Sequence, residues 1–325
     1  MTMYMQTAKI YNGQEQTFSF ATPVVTWAVG VNGFQLSYGS GNQHDVGQAS
    51  CSLAVTPSSG TATQVTVVPS LTLARSGGDY QDDGSTFVIV TIIASDTTTD
   101  FYGQNVQAAQ SGAETSQSLQ TVTGALAGFS VGDAGQDAVA VTSFSADCSV
   151  TVGPNGTASL TGGSQLPGVP PGTVDVAVVG SVNAPPQNFF IDTVTLDPGG
   201  QSNYGTDLLS YTYTAPASIL GEQTVQNITF LLQSFNIAFP SGDSSEVLLV
   251  RVGCLQTSTD VEFPTGTTPS NAPADAWYIV DPQPTGGSFY YDMSMWRPAD
   301  GFVGADLATT GTMTFLVVGV TEPAG

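Results

Sequence analysis

The sequence predicts an all-β chain of three tandem antiparallel β-sandwich units, jelly-roll or immunoglobulin-like, related by internal triplication. Three observations carry this. Apolar and polar residues alternate with a period of two. Gly (37) and Pro (19) punctuate the 325 residues at short intervals, as turns do between short strands. An ordered set of features also recurs three times along the chain.

The recurrence opens with nine-residue segments ending on Phe: TWAVGVNGF at Phe34, TVTGALAGF at Phe129 and NITFLLQSF at Phe235. A polar loop and a strand bearing a cysteine follow, with Cys51, Cys148 and Cys254 lying 17, 19 and 19 residues beyond their Phe. Each unit closes on an apolar strand, at Thr86–Ala94, Thr173–Ser181 and Thr312–Val320. The spacing from cysteine to closing strand varies widely, as connections drift on a repeated scaffold. The units span residues 1–99, 100–183 and 184–325. Phe34, Phe129 and Phe235 are read as core residues. Cys51, Cys148 and Cys254 are read as small buried hydrophobes at one equivalent position in three separate cores.

In the first unit Trp27, Val29 and Val31 alternate with Thr26, Ala28 and Gly30, and Gln64–Val68 repeats the pattern. The second unit is the smallest and the poorest in aromatics, so it is expected to lean on its neighbours. It contains the one helical candidate, Gln104–Gln120, whose Ser, Thr and Gly argue against a helix. In the third unit Phe289–Trp296 is an aromatic strand. The insertion 257–284 carries five prolines, each lacking a ladder donor. It is expected to be an extended arm offering Trp277, Tyr278 and Ile279 to a partner.

The charge balance narrows the function. Four Lys and Arg against 26 Asp and Glu give −22, although only 9% of residues are charged. Too few cations remain to neutralise phosphates, which excludes nucleic acid and disfavours anionic membranes. No segment is long and apolar enough to insert into a bilayer. The opening residues lack the basic and apolar regions of a secretory leader. Three cysteines cannot close a disulfide framework within one chain, so synthesis in a reducing cytosol is expected.

No constellation of residues specifies catalysis. His44-Asp45 is the only His–Asp pair and has no nucleophile elbow, so it reads as a polar hairpin tip. Asp79, Asp82 and Asp83 are the Ca²⁺ candidates, but they lack a complete ligand set and read first as solvated turn residues. Asp292 and Asp300 are the nominal carboxylate pair for a hydrolase. Asn155-Gly-Thr157 and Asn227-Ile-Thr229 match glycosylation acceptors by chance. Tyr80, Tyr290, Tyr291 and Trp296 join Trp277 as residues able to stack on sugars, with strand packing the simpler role. No cofactor is expected. The leading expectation is a non-enzymatic, self-assembling structural protein: a virion decoration, spike or fibre subunit, or a surface filament or sheath. Its partners would be copies of itself or other structural subunits, and its final location a virion or an extracellular assembly. The alternative is a multivalent glycan- or cell-surface-binding, lectin-like protein.

Overall fold

The computed structural model describes residues 1–38, 44–75, 85–107, 113–114, 118–133, 137–153, 156–183, 186, 188–197, 209–239, 246–247, 249–254, 281–296 and 310–323. The first segment forms β1 (Met3–Tyr11), β2 (Gln16–Val24), β3 (Thr26–Ser37), β4 (Gln48–Thr56), β5 (Ala62–Ala74) and β6 (Phe87–Ser95). The second forms β7 (Phe101–Val106), β8 (Ala113–Glu114), β9 (Thr121–Gly132), β10 (Ser143–Val152), β11 (Ala158–Gln165) and β12 (Thr173–Ser181). The third forms β13 (Phe189–Leu196), β14 (Leu209–Thr214), α1 (Ala217–Leu220), β15 (Gln223–Ala238), β16 (Leu249–Cys254), β17 (Asp281–Gln283), β18 (Gly286–Trp296) and β19 (Thr310–Pro323). The protein is all-β. The helical candidate is overturned at its start, where Gln104, Asn105 and Val106 extend β7 along β12.

One pairing rule governs all three segments. The first, sixth and third strands of a segment lie side by side, as β1-β6-β3, β7-β12-β9 and β13-β19-β15. The fourth, fifth and second do the same, as β4-β5-β2, β10-β11-β8 and β16-β18-β14, with β17 added beside β18. The two half-sheets of a segment pack on each other. In the third segment Phe289 of β18 meets Phe230 of β15 at 4.2 Å and Phe315 of β19 at 5.4 Å between ring centroids. In the first, Tyr4 of β1 meets Phe20 of β2 at 5.4 Å.

Each half-sheet is then continued by a neighbouring segment. β4 pairs with β9, β10 with β15, and β16 with β3, so the exchange runs once around and closes. Three antiparallel sheets result, each shared by two segments. The segment boundaries at 99/100 and 183/184 fall in the connections β6–β7 and β12–β13. The three connections between third and fourth strands are tied to one another in the same cyclic way. His44 and Val247 exchange backbone bonds of 3.0 and 2.9 Å, Val46 and Val139 bonds of 2.9 and 3.0 Å, and Phe239 N–H donates to Thr142 at 3.0 Å.

The third strands line the centre. Phe34, Phe129 and Phe235 meet there, with centroid separations of 4.9, 5.5 and 5.8 Å, and Phe144 packs against the last two at 5.5 and 5.0 Å. The three separate cores expected from sequence are instead merged across the segments: one large cluster surrounds this trio, and a smaller one, also drawn from all three segments, includes Leu231. A segment of about a hundred residues has little interior of its own, and merging supplies the rest. It also explains why every residue of β3 is buried, although alternation suggests one exposed face. At the next level Leu231 fills the space, and a Cβ on Gly30 would stand 2.8 Å from its Cδ1.

Truncating one member of the aromatic trio leaves a cavity between all three segments. Phe34→Ala is expected to cost about 3–5 kcal/mol in urea unfolding. The loss should appear as one cooperative transition, because no segment has a core independent of the trio.

Candidate functional site

The third strands share a second feature. In each, a residue two places before the central Phe is bulged out of the ladder with the sixth strand: Asn32, Ala127 and Gln233, with β15 carrying a second bulge at Gln226. A bulge turns its side chain out of the regular alternation, here towards the third strand of the preceding segment. Asn32 Nδ2 donates to the Phe230 carbonyl at 2.8 Å and to Thr229 Oγ1 at 3.0 Å. Thr91 donates to Asn32 Oδ1 at 2.8 Å, and Thr91 Oγ1 also lies 3.0 Å from Thr229 and 2.7 Å from Thr7. Gln233 Nε2 repeats the arrangement, donating to the Gly124 carbonyl at 2.8 Å and to Thr123 Oγ1 at 3.2 Å. Counted from the central Phe, Thr229 and Phe230 correspond to Thr123 and Gly124.

At the third position Ala127 has no amide. The corresponding backbone is that of Val29, and Asn105 of β7 satisfies it instead. Asn105 Nδ2 donates to the Val29 carbonyl at 2.7 Å, and Val29 N–H donates to Asn105 Oδ1 at 2.8 Å. β7 is brought this close by Gly103, where a Cβ would lie 2.6 Å from the Trp27 carbonyl carbon. Thr26 Oγ1 bonds both the N–H and the carbonyl of Gly103, at 2.8 and 3.0 Å. A recess of about 250 Å³ opens at this place, lined by Leu53, Val55, Ser58, Asn105, Val106, Gln107, Ala127 and Asp175.

The cysteines are placed around these bulges, but not equivalently. Across the ladders Ala146 faces Phe235 and Val252 faces Phe34, whereas Cys51 itself faces Phe129. Cys148 and Cys254 thus fall opposite Gln233 and Asn32, while the corresponding place opposite Ala127 belongs to Leu53. This corrects the single equivalent position inferred from sequence. The Phe-to-cysteine spacing of 17 rather than 19 residues was the available signal, since a shift of two keeps a side chain on its own face. All three thiols are free and buried. Cys148 Sγ donates to the Gln233 carbonyl at 3.4 Å. Burial pushes all three thiols well above their ordinary pKa, with Asp175 adding to the effect at Cys51 and Asp147 at Cys148.

The remaining candidates scatter. Asp79, Asp82, Asp83, Tyr80, Trp277, Tyr278, Ile279, Asp300 and Asn155 lie outside the described residues. Among the described residues no group of three His, Cys, Asp or Glu side chains is placed to hold a metal ion. His44 is not a hairpin tip: its backbone bridges to Val247, and its ring packs edge-on to Tyr38 at 5.0 Å. Asn227 is an exposed residue of β15 whose Oδ1 accepts from the Ile228 N–H.

Asp292 partners Arg251, at 3.6 Å between Nη1 and Oδ2. Arg251 is 1% exposed, and its Nε donates to Gln35 Oε1 at 2.6 Å. Burial lowers the Arg251 pKa, while Asp292 pulls it back up. Burial raises that of Asp292, with Arg251 and Ser294 opposing. Gln35 belongs to the first segment and Asp292 to the third, so this cluster fastens the joint between β3 and β16.

No protein-family model matches the chain, and no curated protein is similar to it.

Two tests follow. Cys51, Cys148 and Cys254 should resist 5,5′-dithiobis(2-nitrobenzoate) in the native protein, and all three should react once it is unfolded. Rapid native labelling of any one would contradict the buried arrangement. Arg251→Met should cost about 3–5 kcal/mol by leaving a half-buried carboxylate unpaired. Adding Asp292→Asn should recover part of that loss in the same denaturation assay.

Proposed function

We propose that the chain is a structural, self-assembling subunit, of the virion decoration, spike or fibre kind or of a surface filament or sheath. We further infer that it arose by triplication of a six-stranded jelly-roll unit. The observation that carries both is the cyclic strand exchange. One polypeptide reproduces what three copies of a small β-sandwich would make around a threefold axis. The shared strand order, the three bulges two residues before a Phe and the tied loops support common descent of the segments.

A closed ring of sheets suits a building block because strand pairing between segments and a shared interior hold its shape. Three similar faces around one axis also match a threefold position in a larger lattice. The chemistry-bearing side chains that are described serve packing: buried thiols, a sealed guanidinium and an imidazole laid against Tyr38. Among the described residues only Met1 and Val152 are exposed large hydrophobics. Association would therefore use the insertion 257–284, with Trp277, Tyr278 and Ile279 as anchors, rather than an apolar sheet face.

Light scattering and electron microscopy of the same native sample test this reading. Regular particles or filaments larger than the 33.4 kDa chain are expected, and deletion of 257–280, which leaves β17 paired with β18, should abolish them. A monomer at every concentration, alone and with candidate structural partners, would overturn the proposal.

A further inference from the structure

We propose that the recess at Ala127 is a binding site for a neutral polyhydroxylated ligand the size of a single sugar ring. This goes beyond the structural role, and it stands whether or not the chain assembles. One of the three third strands breaks the pattern of the other two. At two of three corresponding places an amide on the bulge, Asn32 or Gln233, reaches the neighbouring strand and occupies the space between. At the third, that bond to the Val29 carbonyl comes from Asn105 on the edge strand. The bulge is thereby relieved of its structural task, and Ala127 leaves room. Were the recess merely a packing fault, the Val29 carbonyl would be the group left unsatisfied, and it is not.

The lining fits one ligand class. Leu53, Val55 and Val106 supply aliphatic surface, suited to the C–H face of a ring. Asn105, Gln107 and Ser58 offer groups that both donate and accept, as hydroxyls require, and Asp175 adds an acceptor. None of the described lining residues is cationic, and a chain of net charge −22 repels anions. A hard cation would need several oxygens around it, whereas the described lining contains one carboxylate. The volume of about 250 Å³ lies below the roughly 300–1,000 Å³ of drug-sized sites, which restricts the ligand to one ring. The corresponding surfaces elsewhere are occupied. In the first segment Lys9 lies over Tyr11 and Phe87, at 4.7 and 4.2 Å from their ring centroids. In the third, Thr195 and Thr314 bond to each other at 3.0 Å.

The test uses full-length protein carrying ¹³C-methyl alanine. It is titrated with D-glucose, D-galactose, D-mannose and N-acetyl-D-glucosamine into the millimolar range expected of a monovalent sugar site. At least one sugar should give a saturable shift of the Ala127 methyl. Asp175→Asn should weaken that binding about tenfold or more, as loss of a hydrogen bond to a charged group does. Ala127→Gln, which installs the side chain already present at Gln233, should abolish it. If Ala127→Gln does not fold, Gln107→Ala on the rim takes its place, with at least a threefold loss expected. Absence of a saturable shift with all four sugars overturns the proposal. So does binding that is unchanged in folded Ala127→Gln or, in its place, Gln107→Ala.

Discussion

The pairing of each fourth strand with the third strand of the next segment is the contact on which everything else depends. It has to close: β4 on β9, β10 on β15 and β16 on β3. The last of these joins residues more than two hundred positions apart. Closing such a loop costs chain entropy that grows slowly with length, and it is offset by burial that only the closed ring provides. Phe34, Phe129 and Phe235 can share one interior only when all three exchanges are made. The same closure removes six strand edges from solvent, because each half-sheet ends against a neighbour instead of in water.

Such a ring has a polar problem at its centre. The bulged residues interrupt the ladders, and a buried carbonyl without a donor is costly. Asn32 and Gln233 answer this with side-chain amides that cross to the adjacent segment. The central packing and the polar locks are thus built from the same seven-residue stretch of each third strand, ending on its central Phe. Where one lock is moved to Asn105, β7 must be drawn against β3, and Gly103 permits the approach. The local loss of symmetry has a structural compensation on one strand and an opening on another. One segment can differ from the other two in this way while the shared strand order stays intact.

The charge pattern is consistent with a molecule whose stability comes from burial. Few surface ion pairs are available to a chain with four basic residues, and such pairs contribute little in any case. Of the four, Arg251 is spent inside the protein, where it joins Gln35 and Asp292 across the closing exchange. Lys9 lies over two aromatic rings. Basic residues placed at a joint and on an apolar cluster are used for positioning, at sites where their loss would be felt in the fold.

The all-β class and the burial of Phe34, Phe129, Phe235 and the three cysteines were legible in the sequence. They follow from local properties: a period of two, turn residues, and the burial preferences of single side chains. What the sequence could not decide was which strand edges would meet. Antiparallel half-sheets with like patterning can pair within a segment or with a neighbour, and alternation is identical in both cases. For the same reason the two-residue offset of Cys51 was invisible to a reading by faces, although the shorter spacing was there to be counted. The bulges were hidden too, since Asn32, Ala127 and Gln233 have no residue type in common. Only the tertiary structure brings Asn105 to Val29, strands seventy-six residues apart, and only that juxtaposition turns an unremarkable alanine into the floor of a site. Sequence determined what each strand would bury, and the closure of the ring determined against what.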